Sequence, residues 1–120
     1  MTVRAIRGAT QVEADTRDHI LEATTELVVE VMKRNELEPD DVISVLFTAT
    51  PDLSAAFPAL AARRLGLDEV PLLCASEIDV PGALPRVVRL MAHAHTDLPA
   101  AEVGHVYLRG AAVLRPDLAR

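Results

Sequence analysis

The sequence predicts an α+β domain, a mixed β-sheet with helices packed on it, and three observations carry that reading. Apolar runs of strand length alternate with stretches of helix length, and the chain ends in two adjacent strand candidates. Between the first two runs lies one long stretch with a clear 3.6-residue apolar period. The 120 residues fill one domain, residues 1–120, with no internal repeat, low-complexity segment or linker.

Val3 to Gly8 reads as the first strand, and its alternation puts Arg4 and Arg7 on opposite faces. Asp15 or Thr16 is placed to cap a helix that continues to about Asn35. Ile20, Thr24, Leu27 and Val31 form its apolar stripe, so this helix serves packing rather than chemistry. The polar turn NELEPDD leads to a second strand, Val42 to Ala49, apolar enough to lie inside a sheet. TPDLSAAFP is an irregular loop bounded by two prolines, a kind of segment that often carries function. Pro58 opens a short alanine-rich helix to about Leu65, stopped by Gly66.

Val70 to Cys74 is a short apolar strand that runs out at an acidic turn. Pro81-Gly82 breaks the chain, and Pro85 suits the first turn of a helix from Leu84 or Pro85 to about His95. Val87, Leu90, Met91 and Ala94 would be its buried face, with Arg86, Arg89 and His93 on the opposite stripe. Val103 to Leu108 and Ala111 to Leu114 are expected as final strands, separated near Gly110.

Half of the residues are hydrophobic, but only two are Phe and one is Tyr, so the core rests on Leu, Val, Ile and Ala. A modest core in a small domain often gains stability from oligomerisation. The net charge of −6 and pI near 5.1 argue against a general affinity for nucleic acid. Eleven of the twelve basic residues are Arg, the side chain suited to gripping carboxylates through two hydrogen bonds. That balance points to an anionic small molecule. A single Cys excludes an intrachain disulfide and fits a reducing compartment. No apolar run reaches membrane-spanning length and no signal-peptide pattern opens the chain, so a cytoplasmic protein without a membrane partner is expected.

Cys74, Glu77 and Arg89 fall around one strand end, a thiol, a carboxylate and a guanidinium of the kind that lines small-molecule pockets. The stretch VPLLCASEIDVPGALPRVVR (Val70 to Arg89) resembles the AroH class of chorismate mutases. So do RAIRGAT at Arg4 to Thr10, TATPDLSAAFPALAAR at Thr48 to Arg63 and HVYLRGAAVLRPDL at His105 to Leu118. The similarity is collinear from Val3 to about Leu118. It implies a homotrimer around a pseudo-α/β-barrel, with an active site at each subunit interface. It also implies the Claisen rearrangement of chorismate to prephenate, without cofactor or metal, on the route to phenylalanine and tyrosine.

By the same resemblance, Arg89 contacts the ether oxygen of the substrate and is the main electrostatic catalyst. Arg7 binds a carboxylate near that oxygen. Glu77 accepts a hydrogen bond from the ring hydroxyl and faces positive charge developing on the ring, and Cys74 contacts the same hydroxyl. Tyr107 binds a substrate carboxylate through its own hydroxyl. Phe57 and Arg63 reach the pocket from the neighbouring subunit, one as an apolar wall and one as a carboxylate ligand. Leu114 and Arg115 belong to a tail segment that closes over the substrate. Leu73 stands where some members carry a polar residue, and Leu60 where members can carry a Lys.

Each residue also has a plainer reading. Arg89 fits a solvated helix face, Arg7 a salt-bridged sheet arginine, Glu77 a turn carboxylate, Cys74 a buried thiol, Phe57 core packing and Arg115 an exposed terminal arginine. His93 and His95, two apart on the expected helix, would not face each other as a metal pair. Ser54 and Ser76 lack a placed base, which argues against a serine hydrolase. Two other functions share the architecture: a non-catalytic binder of a dicarboxylate metabolite, and a trimeric reactive-intermediate (imine) deaminase.

Overall fold

The computed structural model describes residues 2–118. Five strands form one mixed sheet: β1 (Thr2–Gln11), β2 (Val42–Ala49), β3 (Leu72–Ser76), β4 (Val87–Thr96) and β5 (Val106–Leu108). Their spatial order is β3-β2-β4-β1-β5. Central β4 runs antiparallel to β1 and β2, while the outer strands β3 and β5 lie parallel to β2 and β1.

Helix α1 (Arg17–Arg34) starts at Thr16, whose hydroxyl accepts the His19 N–H at 3.1 Å, and ends at Asn35. Asn35 is buried, and its amide donates to Val31 O and Gly104 O at 2.9 Å each. Its oxygen accepts the Gly104 N–H at 2.8 Å, which fastens the approach to β5 onto the helix end. The short helix α2 (Ala59–Ala62) continues as a wider turn over Arg63–Leu67, where Gly66 takes φ +94° and stops it. Both helices pack on one face of the sheet. Ile20, Leu27 and Val31 of α1 meet Ile6, Phe47 and Leu90 of the strands in the main core. Gly8 permits that approach, since a Cβ there would come within 3.0 Å of Leu27 Cδ1. The opposite face stays open and carries Val3, Leu46 and Leu73 beside His93 and His95.

Two expected elements differ. Val87–Thr96 is the central strand, not a helix. Its even positions Val88, Leu90, Ala92 and Ala94 are buried, while Arg89, His93 and His95 are exposed, a period of two. The apolar residues satisfy either period over this short span, and the need of β1 and β2 for a common partner decides it. On a strand His93 and His95 share a face, so the geometric objection to the pair falls away. Among the described residues, however, no group of three or more His, Cys, Asp or Glu is placed to hold a metal ion. The second difference lies at the C-terminal end. The expected strand Ala111 to Leu114 is replaced by a 3₁₀ turn, Arg109–Val113, entered through Arg109 at φ +54°. Gly110 packs against the end of the Gln11 side chain, which a Cβ there would push aside. No helix among the described residues is long and apolar enough to cross a membrane.

Candidate active site

The open sheet face becomes concave where β1, β4 and the segment after β5 meet. In the register, Thr48 and Ala9 flank Arg89, and Arg7 lies opposite Met91, so both arginines rise from the same face. They line a cavity of about 350 Å³ together with Thr48, Met91, Tyr107 and Arg115.

Glu77 enters this face by extending the ladder one residue beyond β3, its N–H donating to Ala49 O at 2.9 Å. Arg89 Nε donates to both Glu77 carboxylate oxygens at 3.1 Å, and Thr48 Oγ1 donates to Oε2 at 2.7 Å. The Glu77 side chain is only 16% exposed and that of Arg89 is 45% exposed, so the pair has a sheltered carboxylate and an accessible guanidinium. Thr48 gives the sheltered carboxylate a partner that does not compete for charge.

Tyr107 is buried in a small second core with Ala9, Val87 and Ala111, and Leu84, Leu114 and Leu118 pack against it. Leu114 therefore supports the tyrosine from the tail side. Arg115 forms a two-pronged ion pair with Asp117, Nε–Oδ1 3.1 Å and Nη2–Oδ2 2.9 Å. This pairing raises the pKa of the guanidinium and holds the Asp117 carboxyl below its ordinary value, with Arg7 adding to the latter effect. The Arg7 backbone N–H donates to His105 Nδ1 at 3.0 Å, tying β1 to the approach to β5. Three guanidiniums and a tyrosine thus line one cavity, with Glu77 bound to Arg89 behind it, a setting suited to an anionic ligand.

The remaining residues singled out in the sequence lie elsewhere in the chain. Phe57 is 76% exposed, and Arg63 is exposed beyond α2; neither lines the cavity. Cys74 pairs with Phe47 and points to the helix-packed face, where it lines a separate groove of about 450 Å³ with Phe57, Leu60 and Ser76. The expected gathering of Cys74 with Glu77 and Arg89 is therefore corrected, because alternation along β3 turns the thiol away. Leu73 points to the open face and is 65% exposed. Thr48 and Asp117 were not singled out from sequence. Thr48 becomes legible only when Val87–Thr96 is read as a strand, which sets it opposite Arg89.

The chorismate mutase type I family model matches residues 3–118. Chorismate mutase AroH of Thermus thermophilus is 51% identical over 117 residues, covering 97% of this chain and 96% of that protein. Chorismate mutase AroH of Bacillus subtilis (strain 168) is 47% identical over 119 residues, 98% of this chain and 94% of its own. Among solved structures, a chorismate mutase from Clostridium thermocellum superposes with a TM-score of 0.90 at 50% identity, covering 92% of this chain and 98% of that one. With half of its residues shared along nearly its full length and the same fold beneath its arginine-lined cavity, the chain belongs to the chorismate mutase type I family.

Proposed function

We propose that the cavity of Arg7, Arg89, Tyr107 and Arg115 binds chorismate as a dianion and rearranges it to prephenate. The supporting observation is the convergence of three guanidiniums on one concave face, with Glu77 pinned against Arg89, in a chain of this family. The rearrangement is unimolecular: a C–O bond breaks as a C–C bond forms, with no proton transfer, covalent intermediate or cofactor. Catalysis then requires a fixed chair-like conformer and positive charge at the ether oxygen.

In this reading Arg89 faces the ether oxygen and stabilises its developing negative charge, a contribution of about 3–4 kcal/mol. Arg7 binds a carboxylate beside it, and Tyr107 and Arg115 hold the carboxylates from the β5 side, with Leu114 backing the tyrosine. Glu77 accepts from the ring hydroxyl while orienting Arg89. Phe57 and Arg63 face away from their own cavity, and we assign them to the site of a neighbouring subunit. Cys74 shares the groove of Phe57, and Leu73 projects from the open face; both are assigned to the rim that closes the site.

That assignment makes the active form a homotrimer built on the open sheet face. Exposed Val3, Leu46 and Leu73 on that face, and Phe57 on the loop, support it as an interface. The product feeds phenylalanine and tyrosine synthesis, and the unpaired Cys74 thiol suits a cytoplasmic enzyme. The deciding experiment follows chorismate loss and prephenate formation by purified protein, with chelator and without cofactor. Conversion that disappears in Arg89→Ala supports the reading. Chorismate binding without turnover would favour a metabolite-binding protein instead.

A further inference from the structure

The loop Thr50–Pro58 is long and, apart from buried Thr50, Leu53 and Pro58, largely exposed, and side-chain hydrogen bonds tie it down at two points. In its first half, Asp52 Oδ1 and Oδ2 accept the Arg86 N–H at 3.2 and 3.0 Å, and Thr50 Oγ1 accepts the Val87 N–H at 2.9 Å. In its second half the anchor is Asp15, from the turn just before the cap of α1. Asp15 Oδ1 accepts the backbone N–H groups of Ser54 and Ala55 at 2.9 and 3.0 Å, and Oδ2 accepts the Ser54 hydroxyl at 3.0 Å. One carboxylate oxygen on two successive amides fixes the orientation of both peptide planes. Two residues further on, Phe57 stands 76% exposed.

Downstream, α2 is held by burial of Ala59, Ala61 and Ala62, so Arg63 leaves a well-anchored helix. The Phe57 side chain itself stays largely exposed, although Ala56 packs on the core and the Phe57 carbonyl accepts the Leu60 N–H at 3.1 Å. We propose that Asp15 is a positioning residue for the neighbouring active site: its carboxylate clamps Ser54 and Ala55 so that Phe57 meets the neighbour's cavity in one orientation. Asp15 touches no substrate and acts through Phe57. The inference rests on the shared-site reading above.

Without the clamp the Phe57 loop must be ordered each time substrate binds, a cost that falls on binding before it falls on the chemical step. Asp15→Ala is therefore expected to raise KM about tenfold while kcat changes by less than about threefold. Asp15→Asn keeps an oxygen for the two amides and lets the Ser54 hydroxyl reverse to accept, so its KM stays within about twofold of the parent. Asp15→Glu overshoots the amides by one methylene and raises KM in the same direction as Ala, a second variant should Ala not assemble.

Mixed trimers give the deciding readout. Combining Asp15→Ala with Arg89→Ala chains creates sites that pair an intact Arg89 with an intact Phe57 loop. These sites should show the parent KM, whereas Asp15→Ala homotrimers keep the raised one. An unchanged KM in Asp15→Ala overturns the inference. So does a raised KM persisting in mixed trimers when the control pair, Arg63→Ala with Arg89→Ala, does regain activity. Failure of that control pair in demonstrated mixed trimers overturns the shared site itself, and this inference with it.

Discussion

Glu77 and Arg89 are twelve residues apart in sequence and meet through three atoms, Arg89 Nε lying 3.1 Å from both Glu77 oxygens. Glu77 comes from the end of edge strand β3 and Arg89 from central β4, with β2 between them. The pair spans two strand spacings, and Thr48, on the strand between, donates to the same carboxylate. The position of Arg89 is thus set by the protein's own hydrogen bonds.

Arg89→Ala should lower kcat/KM by at least about a hundredfold, the scale of losing one preorganised donor at developing charge. Its side chain is nearly half exposed, so the melting temperature should stay within a few degrees of the parent. Steady-state assay with chorismate beside a thermal melt checks both. Near-normal turnover in a folded protein would remove Arg89 from the mechanism.

Thr48→Val keeps the β-branched shape of the strand residue and deletes only the hydroxyl that donates to Glu77. The loss of this one bond, about 1–1.5 kcal/mol, predicts a five- to tenfold fall in kcat/KM. The fall should appear in kcat if the threonine orients the Glu77–Arg89 pair for the transition state. Unchanged kinetics would mean that Arg89 alone holds Glu77 in place.

Most of the fold was legible because its elements carry one unambiguous period each. The α1 stripe of Ile20, Leu27 and Val31, the cap at Thr16, and the stop at Gly66 all stand where the pattern puts them. Val42–Ala49 agrees to the residue. The misread element, Val87–Thr96, is one whose apolar residues fit both a helical and an alternating period, with prolines ahead of it that mimic a helix start. Its resolution depends on long-range pairing with β1 and β2, which no local window contains. The site shows the same division. Arg7, Arg89, Tyr107 and Arg115, each from a different motif, line one cavity, whereas the turning-away of Cys74 follows from the β3 register alone.

Leu73→Glu tests the open face as a subunit interface. A charge at this 65%-exposed position is harmless to a monomer but unfavourable once buried against another subunit. Sedimentation should show dissociation of the trimer, with a secondary-structure spectrum close to that of the parent. Because Phe57 and Arg63 are assigned to a neighbour's site, dissociation should also abolish turnover. Full activity in a sedimenting monomer would refute the shared site.

Acid should release the two exposed carboxylate clamps. The Asp15 carboxyl is held below its ordinary value of 3.8, chiefly by the Ser54 N–H, and that of Asp117 is lowered chiefly by Arg115. In each case the folded pKa is the lower one. The stability contributed is therefore complete above the unfolded value of 3.8 and is lost as pH falls through the depressed folded value. Asp15→Asn and Asp117→Asn cannot titrate at these positions. Their melting temperatures should lie below the parent by a constant margin above about pH 5, and that margin should shrink as the pH drops under about 4. Thermal melts of the three proteins across this range check the sign. A margin that widened on acidification would show that these carboxylates stabilise the fold in their protonated form, contrary to the hydrogen bonds they accept.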